Sequence, residues 1–139
     1  MDILVLIGRI LFAALFLGSA VGHLTQTKAM AGYASSKGVP QAYAATLVSG
    51  LLIAVGGLLV LLGIWADLGA LLLVVFLVPT ALLMHPFWKE SEPQVRQMEL
   101  VQFQKDAALA GAALMLFAFF SFAGDDLGLT ITGPLFDIS

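Results

Sequence analysis

The sequence predicts an all-α integral membrane protein, an antiparallel bundle of four transmembrane helices with its polar loops on one side. Three observations carry this. The 139-residue chain is 60% hydrophobic and only 11% charged, whereas an ordinary soluble domain is about 25% charged. Its apolar residues gather into blocks near residues 3–22, 41–64, 68–84 and 103–122, each close to the roughly twenty residues a helix needs to cross a bilayer. One long charged stretch, Met84-His85-Pro86-Phe87-Trp88-Lys89 through Gln102-Phe103-Gln104-Lys105-Asp106, separates the third block from the fourth. Residues 1–139 therefore read as a single transmembrane domain, with no room for a soluble catalytic unit.

The first span begins directly after Met1-Asp2, without a basic leader region, and is expected to be retained as a helix. It carries Arg9 and stacks Ala14, Gly18 and Gly22 on one face, where a second helix can approach closely. His23 to Val39 is mixed in composition and reads as a surface segment with room for one short interfacial helix. Pro40 suits a helix start, because its missing N–H is one of the donors left unpaired there. The second span has no charge and carries Thr46, Gly50, Ala54 and Gly57 as another small-residue stripe. Trp65-Ala66-Asp67 makes a tight turn at headgroup level. Pro79 removes one backbone hydrogen bond from the third span and predicts a bend between Val75 and Pro79. The fourth span has Ala107 and Gly111 as its stripe, and the broken segment after Gly124 is too short to cross and is expected at the interface. Gly18, Gly22, Gly50, Gly57 and Gly111 are thus read as helix-packing residues.

With four spans, both termini share one side and both polar loops the other. The loops hold Lys28, Lys37, Lys89, Arg96 and Lys105, while the terminal side has only the acids Asp2, Asp67, Asp125, Asp126 and Asp137. The positive-inside rule then places the loops in the cytoplasm and the termini outside. A net charge of −3 with no basic cluster excludes a nucleic-acid partner. With no cysteine, the chain has no thiol, disulfide or thiolate-held cluster of its own, and any redox role must borrow a cofactor or partner.

His23 ends the first span and His85 the third, so the topology brings both to one membrane level with Trp88, Lys105 and Asp106. These residues can form a polar pocket at the mouth of the bundle, holding a quinone headgroup by hydrogen bonds, the apolar spans taking its tail. The competing reading is that amphipathic side chains mark the water boundary. The two histidines carry no metal-ligand spacing, so no metal site is expected. Arg9 lies about 10 Å below the terminal face at 1.5 Å per residue. An intramembrane arginine costs at least about 2.5 kcal/mol, so either it snorkels to that face or it pairs with Asp67, an anionic lipid or a substrate.

The chain resembles the DoxX-like small membrane proteins. The likeness rests on Arg9-Ile10-Leu11-Phe12 with Gly22-His23-Leu24, on Gly38-Val39-Pro40, and on Gly56-Gly57-Leu58-Leu59-Val60-Leu61-Leu62-Gly63. It continues in His85-Pro86-Phe87-Trp88, Phe103-Gln104-Lys105-Asp106-Ala107-Ala108-Leu109-Ala110-Gly111 and Gly133-Pro134-Leu135-Phe136-Asp137. The resemblance implies a four-helix protein of a bacterial inner membrane, linked to quinone or oxidative-stress redox systems. Two departures stand out: no acid occurs near Ile53 or Ala54, and Asp106 stands where asparagine is commoner.

Three functions follow in order. The first is a non-autonomous component of a membrane redox system with no catalytic residues of its own, binding a diffusible quinone and no covalent cofactor. The second is a structural or assembly subunit working as a homo-oligomer or within a larger membrane complex. A small transporter ranks third, because a translocation path normally needs several buried polar groups.

Overall fold

The computed structural model describes residues 1–136 and 138. Among these residues, four helices are long and apolar enough to span a membrane. They are α1 (Asp2–Thr25), α3 (Ala42–Leu62), α4 (Ala66–Met84) and α5 (Pro93–Ala123), and a shorter α2 (Thr27–Ser36) lies between the first two. The mixed segment after His23 thus holds the one short helix for which it had room. Among the described residues there is no strand.

Sequence sets each boundary. The α3 helix starts two residues after Pro40, at Ala42, with Gln41 left-handed (φ 48°) before it, so Pro40 belongs to the preceding turn instead of opening the helix. It stops at Gly63, which takes the left-handed conformation (φ 66°) that glycine adopts without steric cost. The α4 helix stops where Pro86 follows His85, since the residue before a proline is pushed out of the helical region. The largest boundary difference is at α5, which begins with Pro93 in its first turn, well before the block expected from about residue 103. At 31 residues and 1.5 Å per residue, α5 is about 46 Å long, so its first turns stand clear of a hydrocarbon core about 30 Å thick. The charged stretch is therefore mostly helix, and only residues 85–92 form the connection.

Small residues draw the helices together. A Cβ added at Gly50 would meet His23, at Gly57 Leu17, and at Gly63 Arg9, so partner numbers fall on α1 as they rise on α3. A Cβ at Gly56 would meet Leu73 and one at Gly69 would meet Leu59, which brings α4 equally close to α3. Gly56 and Gly69 were not among the expected packing glycines. Gly18 and Gly111 have no neighbour within 4 Å of such a Cβ, and Gly22 has only the Met30 sulfur; within the described residues Gly18 and Gly111 face no other helix. Phe16, Ile53, Val60, Leu73, Leu77 and Phe120 fill the centre, while large apolar side chains such as Ile3, Leu11, Val48, Leu51 and Met115 are exposed around the outside. A surface this apolar belongs against lipid.

Arg9 neither snorkels nor pairs with Asp67. It is buried, and its guanidinium donates to Val60 O at 2.9 Å, Leu61 O at 2.6 Å and Leu129 O at 2.7 Å. The first two are carbonyls of the last turn of α3, which have no partner within the helix and carry the negative end of its dipole. Asp67 is fully buried and instead accepts from the backbone N–H groups of Leu135 (2.9 Å) and Phe136 (2.7 Å) and from the Ser121 hydroxyl (3.3 Å). Ile131 N and Thr132 N both donate to Gly63 O. The segment after Gly124 is thus folded back and tied to the ends of α3 and α4, where only an interfacial position was expected. Asp137, counted among the acids of this side, lies outside the described residues.

Candidate functional site

At the opposite end, a cavity of about 710 Å³ opens between the first half of α3 and the second half of α4, with α1, α2 and α5 completing its wall. Its volume falls in the range of small-molecule sites, about 300–1,000 Å³. Most of the wall is apolar. The polar lining includes Ser19 and His23 from α1, Thr46 and Ser49 from α3, Thr80 from α4, and His85, Lys105 and Asp106. Val48, Val75 and Leu83 belong both to this wall and to the exposed apolar surface, so the cavity opens sideways where lipid would lie.

Four of the five residues expected at this level, His23, His85, Lys105 and Asp106, line the cavity. Trp88 does not. It packs edge-on to Phe87 (5.2 Å) and Phe103 (5.8 Å) in an aromatic cluster beside the site, and about half of it is exposed. An amphipathic ring at headgroup level accounts for it.

His85 is not a free ligand-binding imidazole. Its Nδ1–H donates to Glu99 Oε2 at 2.7 Å, and Nε2 faces Asp106 Oδ2 at 3.6 Å. Glu99 and Asp106 stand seven residues apart on α5, two turns along one helix face, and His85, at the end of α4, sits between them. Glu99 is also a junction, because its other oxygen accepts from Lys37 Nζ at 3.3 Å and from the Tyr33 hydroxyl at 3.4 Å. Lys37 reaches Glu90 as well, at 3.5 Å. Burial pulls the Lys37 pKa down, but the hydrogen bond to Glu99 and the charges of Tyr33, Glu99 and Glu90 outweigh it, and the ammonium sits above the ordinary lysine range.

Glu99, Lys37 and Tyr33 were absent from the expected set. The signal that could have found Glu99 is Pro93, since a proline suits the first helical position and a helix starting there puts Glu99 and Asp106 on one face. His23 is held differently: its Nδ1–H donates to the Ser19 carbonyl at 2.8 Å, and its ring meets Phe76 edge-on at 5.9 Å. Lys105 is exposed and donates to Gln102 at 2.7 Å, so only its stem adds to the rim. Among the described residues no three histidine or acidic side chains converge closely enough to cage a metal ion.

The arrangement can take an elongated apolar molecule through the lateral opening and meet its polar end with His23, Asp106 and the hydroxyls. No curated protein and no solved structure matches this chain. The DoxX family matches residues 4–86. That match takes in α1 to α4, His23 and His85, and ends before the Glu99 and Asp106 carboxylates. It covers more than half of the sequence, and the chain belongs to the DoxX family.

Proposed function

We propose that this protein binds a membrane-dissolved quinone in the α3–α4 cavity and serves as a non-autonomous component of a membrane redox system. The observation that supports this most is the cavity itself, which combines a lateral apolar opening with a polar end holding His23 and Asp106. A water-soluble substrate would gain nothing from a door onto lipid, whereas a lipophile with a small polar head uses both features. Without cysteine the chain has no thiolate-held centre, so electrons would come from a partner and the protein would position the carrier.

The five Lys and Arg residues of the loop end, against none in the loops of the other, support cytoplasmic loops and external termini, and the family supports a bacterial inner membrane. The test of the binding reading is to purify the protein in mild detergent and identify the lipids retained by mass spectrometry. The same is done with Ser49→Phe, which puts a ring into the cavity. Wild type should retain quinone and the variant should lose it. A variant that retains quinone fully, or a wild type with none and no affinity for added quinone, would leave the reading of a structural subunit in front.

A further inference from the structure

The hydrogen-bonding capacity left in the cavity is mostly accepting. Thr46 donates its proton to Ala42 O at 2.8 Å, Ser49 to Thr46 O at 3.0 Å and Thr80 to Phe76 O at 2.7 Å. Each of these hydroxyls then has only lone pairs to offer. His23 Nδ1 lies 2.8 Å from a carbonyl, which can only accept, so the proton sits there and the tautomer this selects carries its lone pair on Nε2.

Asp106 is the strongest acceptor. More than nine-tenths of its side chain is buried, and among the described residues it makes no hydrogen bond. Its nearest ionisable neighbour is His85 Nε2 at 3.6 Å, beyond hydrogen-bond range. No enclosed side-chain oxygen or nitrogen is left unpaired among the described residues, so the Asp106 oxygens are reachable, and the side chain lines the cavity. Donors are few by comparison. His85 Nε2 is turned to Asp106, Lys105 is exposed and holds Gln102, the Tyr33 hydroxyl turns to Glu99, and the Ser19 hydroxyl keeps its proton to give, since the His23 Nδ1 3.5 Å away already carries one.

We infer that the cavity selects a head that donates hydrogen bonds, and that of the quinone pair it binds the hydroquinone in preference to the quinone. This rests on the lipophile reading above and adds the form that is recognised. A hydroquinone hydroxyl can donate to Asp106 or to His23 Nε2, whereas a quinone carbonyl there would face lone pairs. The acceptor is the Asp106 carboxylate, so the preference belongs to the pH range in which Asp106 is ionised; loss of a hydrogen bond to it there corresponds to roughly 10- to 150-fold in affinity.

The test titrates the full chain in detergent with a decyl-tailed benzoquinone and, under anaerobic conditions, with its hydroquinone, both followed by calorimetry. The hydroquinone should bind at least about tenfold tighter, and each tenfold should raise the midpoint potential of the bound couple by about 30 mV. Asp106→Asn, whose amide can donate to a carbonyl, should lose most of that preference. Thr80→Val, which removes an acceptor without touching charge, should lower hydroquinone affinity a few-fold more than quinone affinity and so narrow the gap between the two forms, which keeps the inference testable if Asp106→Asn misfolds. Equal affinities, or tighter binding of the quinone, would overturn the inference and leave the lipophile site standing. Failure of both probes to bind would remove the site as well.

Discussion

Replacing Arg9 tests how the terminal end of the protein is held. The guanidinium makes three hydrogen bonds to carbonyls, two at the end of α3 and one in the folded-back segment. Charge-assisted bonds contribute about 1.5–3 kcal/mol each, or roughly 4.5–9 kcal/mol together by the same measure. Removing a buried arginine recovers about 2.5–3.5 kcal/mol of desolvation, so Arg9→Leu should destabilise the protein by about 1–6.5 kcal/mol on balance. Arg9→Lys should lose most of the same amount, because an ammonium on a shorter stem cannot fork across three carbonyls. Unfolding in mixed detergent, followed by tryptophan fluorescence, gives the measurement. Trp65 is a local reporter, since its backbone N–H is bonded to Thr132 in the same segment at 3.0 Å. Unchanged stability in Arg9→Leu, or full retention in Arg9→Lys, would refute the capping role and return Arg9 to the candidates for contact with an anion.

Three further outcomes follow from the geometry. Gly63→Ala should cost at least about 1–2 kcal/mol for the left-handed backbone, and more because its Cβ would lie 2.8 Å from the Arg9 guanidinium and from Thr130; combined with Arg9→Leu the two losses should be less than additive, as a double-mutant cycle would read. Glu99→Gln weakens the bonds to His85 and Lys37 and should loosen α2, visible as faster amide hydrogen exchange over Thr27–Ser36, while unchanged protection would deny Glu99 its junction role. Gly50→Leu should disrupt the fold, because a Cβ there comes 2.7 Å from the His23 Cβ, whereas Gly18→Leu has open space and should leave stability intact; a change in native-gel size confined to Gly18→Leu would mark that face as a contact with another chain.

Much of the membrane architecture was legible because it depends on hydropathy and length alone. The blocks ending near Met84 and Gly22 located His85 and His23 at one level, and the cavity lies there. What the pattern could not show is which groups spend their hydrogen bonds on each other. Glu99 falls within the charged stretch between the third and fourth hydropathy blocks, and only a helix that starts at Pro93 turns Glu99 and Asp106 to one face with His85 between them. Arg9 was recognised as costly to bury, but its partners are backbone carbonyls, which carry no side-chain signature. Asp67 likewise binds the N–H groups of Leu135 and Phe136, and only the folded chain reveals that these come back to it. Trp88 shares the level of the site without sharing the cavity, because depth in the membrane says nothing about which way a ring points.

If a quinone sits in the α3–α4 cavity, as proposed, covalent mapping will find it there. A photoreactive azidoquinone is added to the protein in membranes, illuminated, and its attachment points are read by peptide mass spectrometry. Labels should fall on cavity residues such as Met30, Thr46, Ser49, Thr80 and Met84, and an excess of unlabelled quinone should suppress them. Labelling spread over the outer surface, for instance at the exposed Met115, with no enrichment in the cavity and no competition, would rule out a quinone site there.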